Sequence, residues 1–237
     1  MDFNVSHQAG VVSLIATVGA EGVSVGTDVV CVNERVKHDY EHIDKKGFFD
    51  WVDIYADVFA DSEVSFMKLG PVDVGTAVNG YERDALSRCQ WRGRKLHIRT
   101  GEGKEEMESD VVITAKLRRF YAMWCLRETY VKMTGEALLA PWLKELEISN
   151  VQTPTPRLNS VGERSLEEGD RTTAFRIHFK EKLVTDVVIE LTALGKDYIV
   201  GGAVKMTPGV DRAALAMREW QRLDLEKDVL AFGEAMA

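Results

Sequence analysis

No run of about 18 apolar residues occurs in this 237-residue chain, so no segment of it reads as a membrane span. Met1-Asp2 opens without the positive flank and apolar core of a signal peptide. Cysteine is scarce: Cys31, Cys89 and Cys125 are odd in number and far apart. They show neither metal-ligand spacing nor a disulfide framework, which predicts a reducing compartment and a cytoplasmic protein. Internal repeats and low-complexity tracts are lacking. Positive charge is outnumbered, with 30 Lys and Arg against 38 Asp and Glu, a net charge of -8. That balance argues against bulk nucleic-acid binding and leaves only a local basic patch for an anionic ligand.

What is present suits an ordinary soluble globular protein. The chain is 45% apolar and 29% charged, and long enough for one large domain or two small ones with a sizeable core. Val11–Val18 and Val23–Val30 read as two strands joined by a turn at Gly19-Ala20-Glu21-Gly22. On the second strand Ser24, Gly26, Asp28 and Val30 share one face, and Val23, Val25, Thr27 and Val29 the other. A lone aspartate in that position either finds a partner or faces a cleft. Residues 48–60 predict an amphipathic helix with Phe49, Val52, Ala56 and Phe59 inward and Asp50, Asp53 and Asp57 on the wet side.

Residues 68–110 read as irregular and glycine-bearing. Arg88, Arg92, Arg94, Lys95 and Arg99, interleaved with Trp91 and His97, precede the acids Glu102, Glu105, Glu106, Glu108 and Asp110. This is either a phosphate or nucleic-acid patch, or a β-hairpin whose solvated arginines are balanced by the acids next door; charge runs more often cover a wet face. A second helix is predicted over 114–140, capped by Thr114 and ended near Gly135, with Leu117, Phe120, Tyr121, Trp124, Cys125 and Leu138 as its apolar bulk. Residues 147–172 read as a long loop. Strands follow at Ala174–Phe179, Val184–Leu194 and Tyr198–Met206, with a turn at Gly195-Lys196-Asp197. Pro208-Gly209 breaks the chain before a last helix, Asp211–Ala231, with Ala213, Met217, Trp220 and Leu223 on one side.

Glu128 and Lys132 are four residues apart and share a helix face. Such a pair is commonly a weak surface ion pair. Here Trp124, Cys125, Leu126, Tyr130 and Val131 flank it, which moves it toward a buried surface and toward function. Magnesium takes oxygen ligands, typically one or two carboxylates plus substrate phosphate and water. Asp28 and Glu128 would be such carboxylates if strand and helix meet, although spacing alone does not bring them together. Trp124 reads as a core anchor, and Cys125 as a small buried apolar residue. His38 and His42, with Asp39 and Glu41, have zinc-compatible spacing, but so do many surface histidines.

Four ordered motifs resemble the 4'-phosphopantetheinyl transferases of the surfactin-synthetase-activating type, its fungal branch in particular. They are Phe3-Asn4-Val5-Ser6-His7; Gly26-Thr27-Asp28; Phe59 with Glu63; and Trp124, Arg127, Glu128 and Lys132 in the pattern W-x-x-R-E-x-x-x-K. The resemblance covers roughly residues 3–30 and 50–140. It implies an α+β fold in which an antiparallel sheet packs against helices. It also implies transfer of 4'-phosphopantetheine from coenzyme A to a serine of an apo acyl or peptidyl carrier protein, with release of 3',5'-ADP. Carried over, Asp28 and Glu128 would be Mg2+ ligands, and Glu128 would also accept the serine proton, directly or through water. Lys132 would touch the phosphate and assist the leaving group, and Ser6 and His7 would bind coenzyme A phosphates.

The pattern is broken twice. Val30 stands where many bacterial members carry a second acid. The first motif begins at residue 3, whereas in the family it lies near the end of the first of two pseudo-symmetric halves. Residues 1–22 are therefore expected to be a remnant of the N-terminal half. Residues 23–237 would form the C-terminal transferase domain, with an irregular insertion at about 68–113. An incomplete half leaves apolar surface exposed and predicts self-association or a partner for the missing half. A carrier-protein-binding module without turnover is the alternative reading; a nucleic-acid partner and a membrane partner are not expected.

Overall fold

A computed structural model describes residues 1–19, 21–75, 80–100, 103–136, 140–157, 166–207 and 217–230. The expected roles of Ala20, Glu102, Leu138, Pro208-Gly209 and the start of the last helix fall outside these residues. The architecture is α+β, as expected. Four strands form the main antiparallel sheet in the order β3 (Ser24–Cys31), β11 (Tyr198–Lys205), β10 (Val187–Leu194), β7 (Glu168–Thr172). The turn at Gly195-Lys196-Asp197 joins β10 to β11, which pair from Val187↔Lys205 to Leu194↔Tyr198. The strands predicted at 11–18 and 23–30 exist but do not pair. β2 (Val11–Thr17) instead forms a hairpin with β1 (Asp2–Gln8), through a turn in which Ala9 and Gly10 both have positive φ. β3 takes β11 as its neighbour.

One long helix, α5 (Ser109–Thr134), crosses the sheet and is buried along most of its circumference. It starts five residues before the predicted cap. The Ser109 N–H bonds the Arg94 carbonyl at 2.8 Å, and Asp110 accepts the Gly93 N–H at 2.7 Å, so the preceding turn anchors its first residues. Thr114 lies inside the helix, with its hydroxyl 3.0 Å from that of Tyr40. The end is as predicted: Gly135 adopts the left-handed conformation, φ 75°, which closes helices at little cost to glycine. α1 (Val36–Lys46), α2 (Phe48–Asp53) and α3 (Asp61–Leu69) pack against α5. The helix predicted over 48–60 is thus interrupted after Asp53 and gives way to α3. The core cluster there contains Trp51 and Phe120 at 4.5 Å between ring centroids, and Trp124 stacked on Phe120, so Trp124 is a packing residue.

The stretch expected to be irregular carries α4 (Gly80–Ser87) and a hairpin of β4 (Lys95–Thr100) and β5 (Gly103–Glu108). It has its own small core of Val72, Leu86, Ile98 and Val112. β6 (Leu146–Ser149), β8 (Arg176–Phe179) and β9 (Lys182–Leu183) make a separate three-stranded sheet. The last predicted helix is corrected in its described part: residues 217–224 are irregular, and only Leu225–Leu230 form a π-helical turn. Met217 and Trp220 lie over Gly202, on the sheet face opposite α5, so packing on the sheet takes the place of helix formation. Among the described residues, no helix is long and apolar enough to cross a membrane.

Candidate functional site

Glycine brings the site together. A Cβ on Gly26 would lie 2.4 Å from both the Met133 nitrogen and the Thr129 carbonyl oxygen, so α5 rests directly on β3. Gly201, opposite Asp28 on β11, leaves room for Thr129; a Cβ there would meet its hydroxyl at 2.1 Å. The helix turn bearing Glu128 and Lys132 is thereby lowered onto the strand bearing Asp28.

Asp28 Oδ1 accepts a hydrogen bond from Ser6 Oγ at 2.8 Å and one from the Lys132 ammonium at 2.6 Å. Lys132 Nζ also donates to Ser6 Oγ, at 2.7 Å. Burial raises the Asp28 pKa, and the Lys132 charge and hydrogen bonds oppose that rise in part. Glu128 is raised as well, first by burial and then by the negative charge of Asp28, with Lys132 again opposing. Two carboxylates thus repel each other in a half-dry site that holds one ammonium. Carboxylate oxygens are the donor type a hard divalent cation takes, and such an ion would relieve that excess charge. Among the described residues no group of three or more His, Cys, Asp or Glu side chains is placed to hold a metal ion, so a metal here would take its remaining ligands from water or substrate. Val30 is in the core at 3% exposure and contributes no oxygen.

The other sequence candidates are placed differently. Ser6 is buried against Asp28, but His7, the next residue along β1, is exposed on the opposite face of the hairpin. Glu63 is buried far from solvent. It accepts the Ala60 N–H at 2.8 Å and the Ile148 N–H at 3.0 Å, and it pairs with Arg127. Arg127 also donates to the carbonyls of Leu143 and Leu146, and its guanidinium sits 5.3 Å from the centre of the Phe59 ring. These motif residues tie α3, α5 and β6 into one frame. In the basic stretch, Lys95 pairs with Glu106 across the hairpin, and Arg92 with Asp44 and Asp110. His42 bonds Asp50 at 2.8 Å, while Asp39 takes the Trp51 and Tyr121 side chains, so the zinc-compatible spacing serves packing.

Two buried cations escaped sequence reading. Lys116 Nζ donates to the carbonyls of Lys68, Ser87 and Cys89, and burial brings its pKa down to about 7. Arg119 caps the carbonyls of Phe66, Gly70 and Pro71. No sequence signal separates such cations from surface ones on the same helix. The acceptors Asp2, Asn4 and Gln8, which hold β1 against β3, also escaped, although their alternation along the strand was visible.

Over 242 residues the chain is 40% identical to a 4'-phosphopantetheinyl transferase of Aureobasidium melanogenum, covering 98% of this chain and 69% of that protein. The chain belongs to the 4'-phosphopantetheinyl transferases, a family of enzymes. It is 36% identical to 4'-phosphopantetheinyl transferase 1 of Fusarium mangiferae, over 98% of this chain and 62% of that one. It is 32% identical to 4'-phosphopantetheinyl transferase NpgA of Emericella nidulans, over 97% of this chain and 64% of that one. These relatives are fungal, in agreement with the fungal branch. No family model matches the chain. The chain spans between 62% and 69% of the length of these three relatives.

Proposed function

We propose that this chain transfers 4'-phosphopantetheine from coenzyme A to the serine hydroxyl of an apo acyl or peptidyl carrier protein, with Mg2+ held by Asp28 and Glu128. The observation that carries the reading is the meeting of Ser6, Asp28 and Lys132 in one network, with Glu128 close enough to feel the Asp28 charge. In the reaction the serine oxygen forms a bond to the β-phosphorus of coenzyme A, and the bond from that phosphorus to the bridging oxygen breaks. 3',5'-ADP leaves, and the serine proton passes to Glu128, directly or through water. Bound Mg2+ would neutralise the diphosphate charge. Lys132, whose side chain is 28% exposed, offers its ammonium to the phosphates and the departing group. Ser6 and His7 complete the assignment as contacts to coenzyme A phosphates, from opposite faces of the hairpin.

The division into residues 1–22 and 23–237, a cytoplasmic setting, and service to fatty acid, polyketide, nonribosomal peptide and lysine-pathway carriers belong to the same proposal. Asp28→Ala and Glu128→Ala should each abolish labelling of an apo carrier protein by a fluorescent coenzyme A analogue, and each should abolish Mn2+ binding measured by calorimetry. Retained labelling in both variants removes the metal assignment. The second reading, a carrier-binding module without turnover, draws on the greater length of the relatives. Carrier binding with neither coenzyme A binding nor labelling favours it.

A further inference from the structure

β3 is the outer strand of its sheet, an edge that ordinarily exposes unpaired N–H groups. The N–H groups of Val25, Thr27 and Cys31 point off that edge, and each meets a side chain of β1. Val25 donates to Asp2 Oδ2 at 2.9 Å, Thr27 to Asn4 Oδ1 at 3.0 Å and Cys31 to Gln8 Oε1 at 3.0 Å. The offset is 23 residues in all three bonds. β1 therefore runs parallel to β3 in a fixed register, although its backbone ladder is with β2. Position 6 breaks the row. Serine is shorter than its neighbours in the row and reaches the Asp28 carboxylate rather than an outward N–H of β3. Ser6 Oγ donates to the same carboxylate and accepts from Lys132.

We propose that these side chains form a register clamp, and that Asn4 is the positioning residue that sets Ser6 on Asp28 and Lys132. A slip of one residue would flip the strand and bring Val5 or His7 to Asp28 in place of Ser6. A slip of two would bring Asn4 or Gln8. The clamp is what separates these registers on an edge with no ladder to define it; Asn4 and Gln8 flank Ser6 on the strand's inner row, and of the two Gln8 is also tied to Glu34, which leaves Asn4 as the member directed to β3 alone. The clamp is independent of the reaction; only the naming of the reaction it serves rests on the proposed function.

Two NMR signals of the intact chain test this: amide hydrogen exchange at Thr27, and the side-chain 15N–H signal of Lys132, which persists only while hydrogen bonds fix the ammonium. Asn4→Leu should speed Thr27 exchange about tenfold, the equivalent of one hydrogen bond, and shift and weaken the Lys132 signal as Ser6 moves away. Asn4→Asp, which keeps an acceptor oxygen, should retain both. Ser6→Ala should shift and weaken the Lys132 signal, which then rests on the Asp28 bond alone, while Thr27 stays protected. Should Asn4→Leu fail to fold, the milder Asn4→Ser is read by the same two signals. An unprotected Thr27 amide in the unsubstituted chain overturns the clamp. An unchanged Lys132 signal in Asn4→Leu or Asn4→Ser overturns the positioning role. In the labelling assay Asn4→Leu should raise KM for coenzyme A as well as lower kcat, because Ser6 and Lys132 are the proposed phosphate contacts. Absence of labelling by the unsubstituted chain counts against the proposed reaction and leaves the clamp standing.

Discussion

Asp28 keeps a carboxylate at 5% exposure, where desolvation disfavours its charge, and Glu128 adds a second negative charge beside it. Both pKa values are raised above the ordinary 3.8 and 4.5. Between the unfolded and the folded values the native state holds more protons, so its stability falls as pH rises through that window. Glu128→Gln should therefore raise Tm at neutral pH by roughly 2–4 °C, on the order of 1 kcal/mol. It should also flatten the pH dependence of the melt while abolishing transfer. Lys132→Met should instead lower Tm and steepen the pH dependence, because it leaves the two acids without their cation; melts of both variants across the acid range check the pair. Lys116 has the opposite sign. Its pKa is lowered from 10.5 to about 7, so between those values the unfolded chain binds more protons and stability rises with pH.

At the scale of elements, α5 is the spine on which the rest is hung, and it bears on the sheet through two glycines. Gly26→Ala should be the costlier substitution, since its new Cβ meets backbone atoms of Thr129 and Met133 that cannot move aside singly. A loss of more than about 3 kcal/mol in urea unfolding is expected, in the range of severe overpacking. Gly201→Ala meets the Thr129 side chain instead. Adding Thr129→Ala should recover most of that loss, whereas it should not rescue Gly26→Ala. Lys116→Met should destabilise by about 2–4 kcal/mol, because three backbone carbonyls that now share one ammonium would be left buried without a donor. Hydrogen exchange should then rise around residues 68–70 and 87–89, measured against unchanged exchange in β10 and β11.

Over the whole molecule, the hairpin turns its polar row to β3 and its apolar row outward. Phe3, Val5, Val12 and Leu14 are 58%, 47%, 68% and 53% exposed on that outer face. A contiguous face of this kind is uncommon on a monomer surface and favours association. The chain should show a concentration-dependent mass by light scattering, and Val5→Lys with Leu14→Glu should shift it toward monomer. Monodisperse monomer with a high Tm would contradict this. Both charges sit on the outward row and leave Asn4 and Ser6 untouched.

Local chemistry made much of this legible in the chain itself. The β-branched alternation of residues 23–30, the stop at Gly135 and the turn at 195–197 follow from preferences of neighbouring residues, and the spacing of Glu128 and Lys132 places both on one helix face whatever lies beyond. What tertiary structure decided was partnership. That β3 pairs with β11, more than 160 residues later, and not with β2 depends on which apolar faces close one core. That Glu63 and Arg127 build the frame while Asp28, Ser6 and Lys132 share a network depends on the approach allowed by Gly26 and Gly201. Hydrogen bonds and burial act over a few ångströms of space, and a sequence orders residues only along the chain.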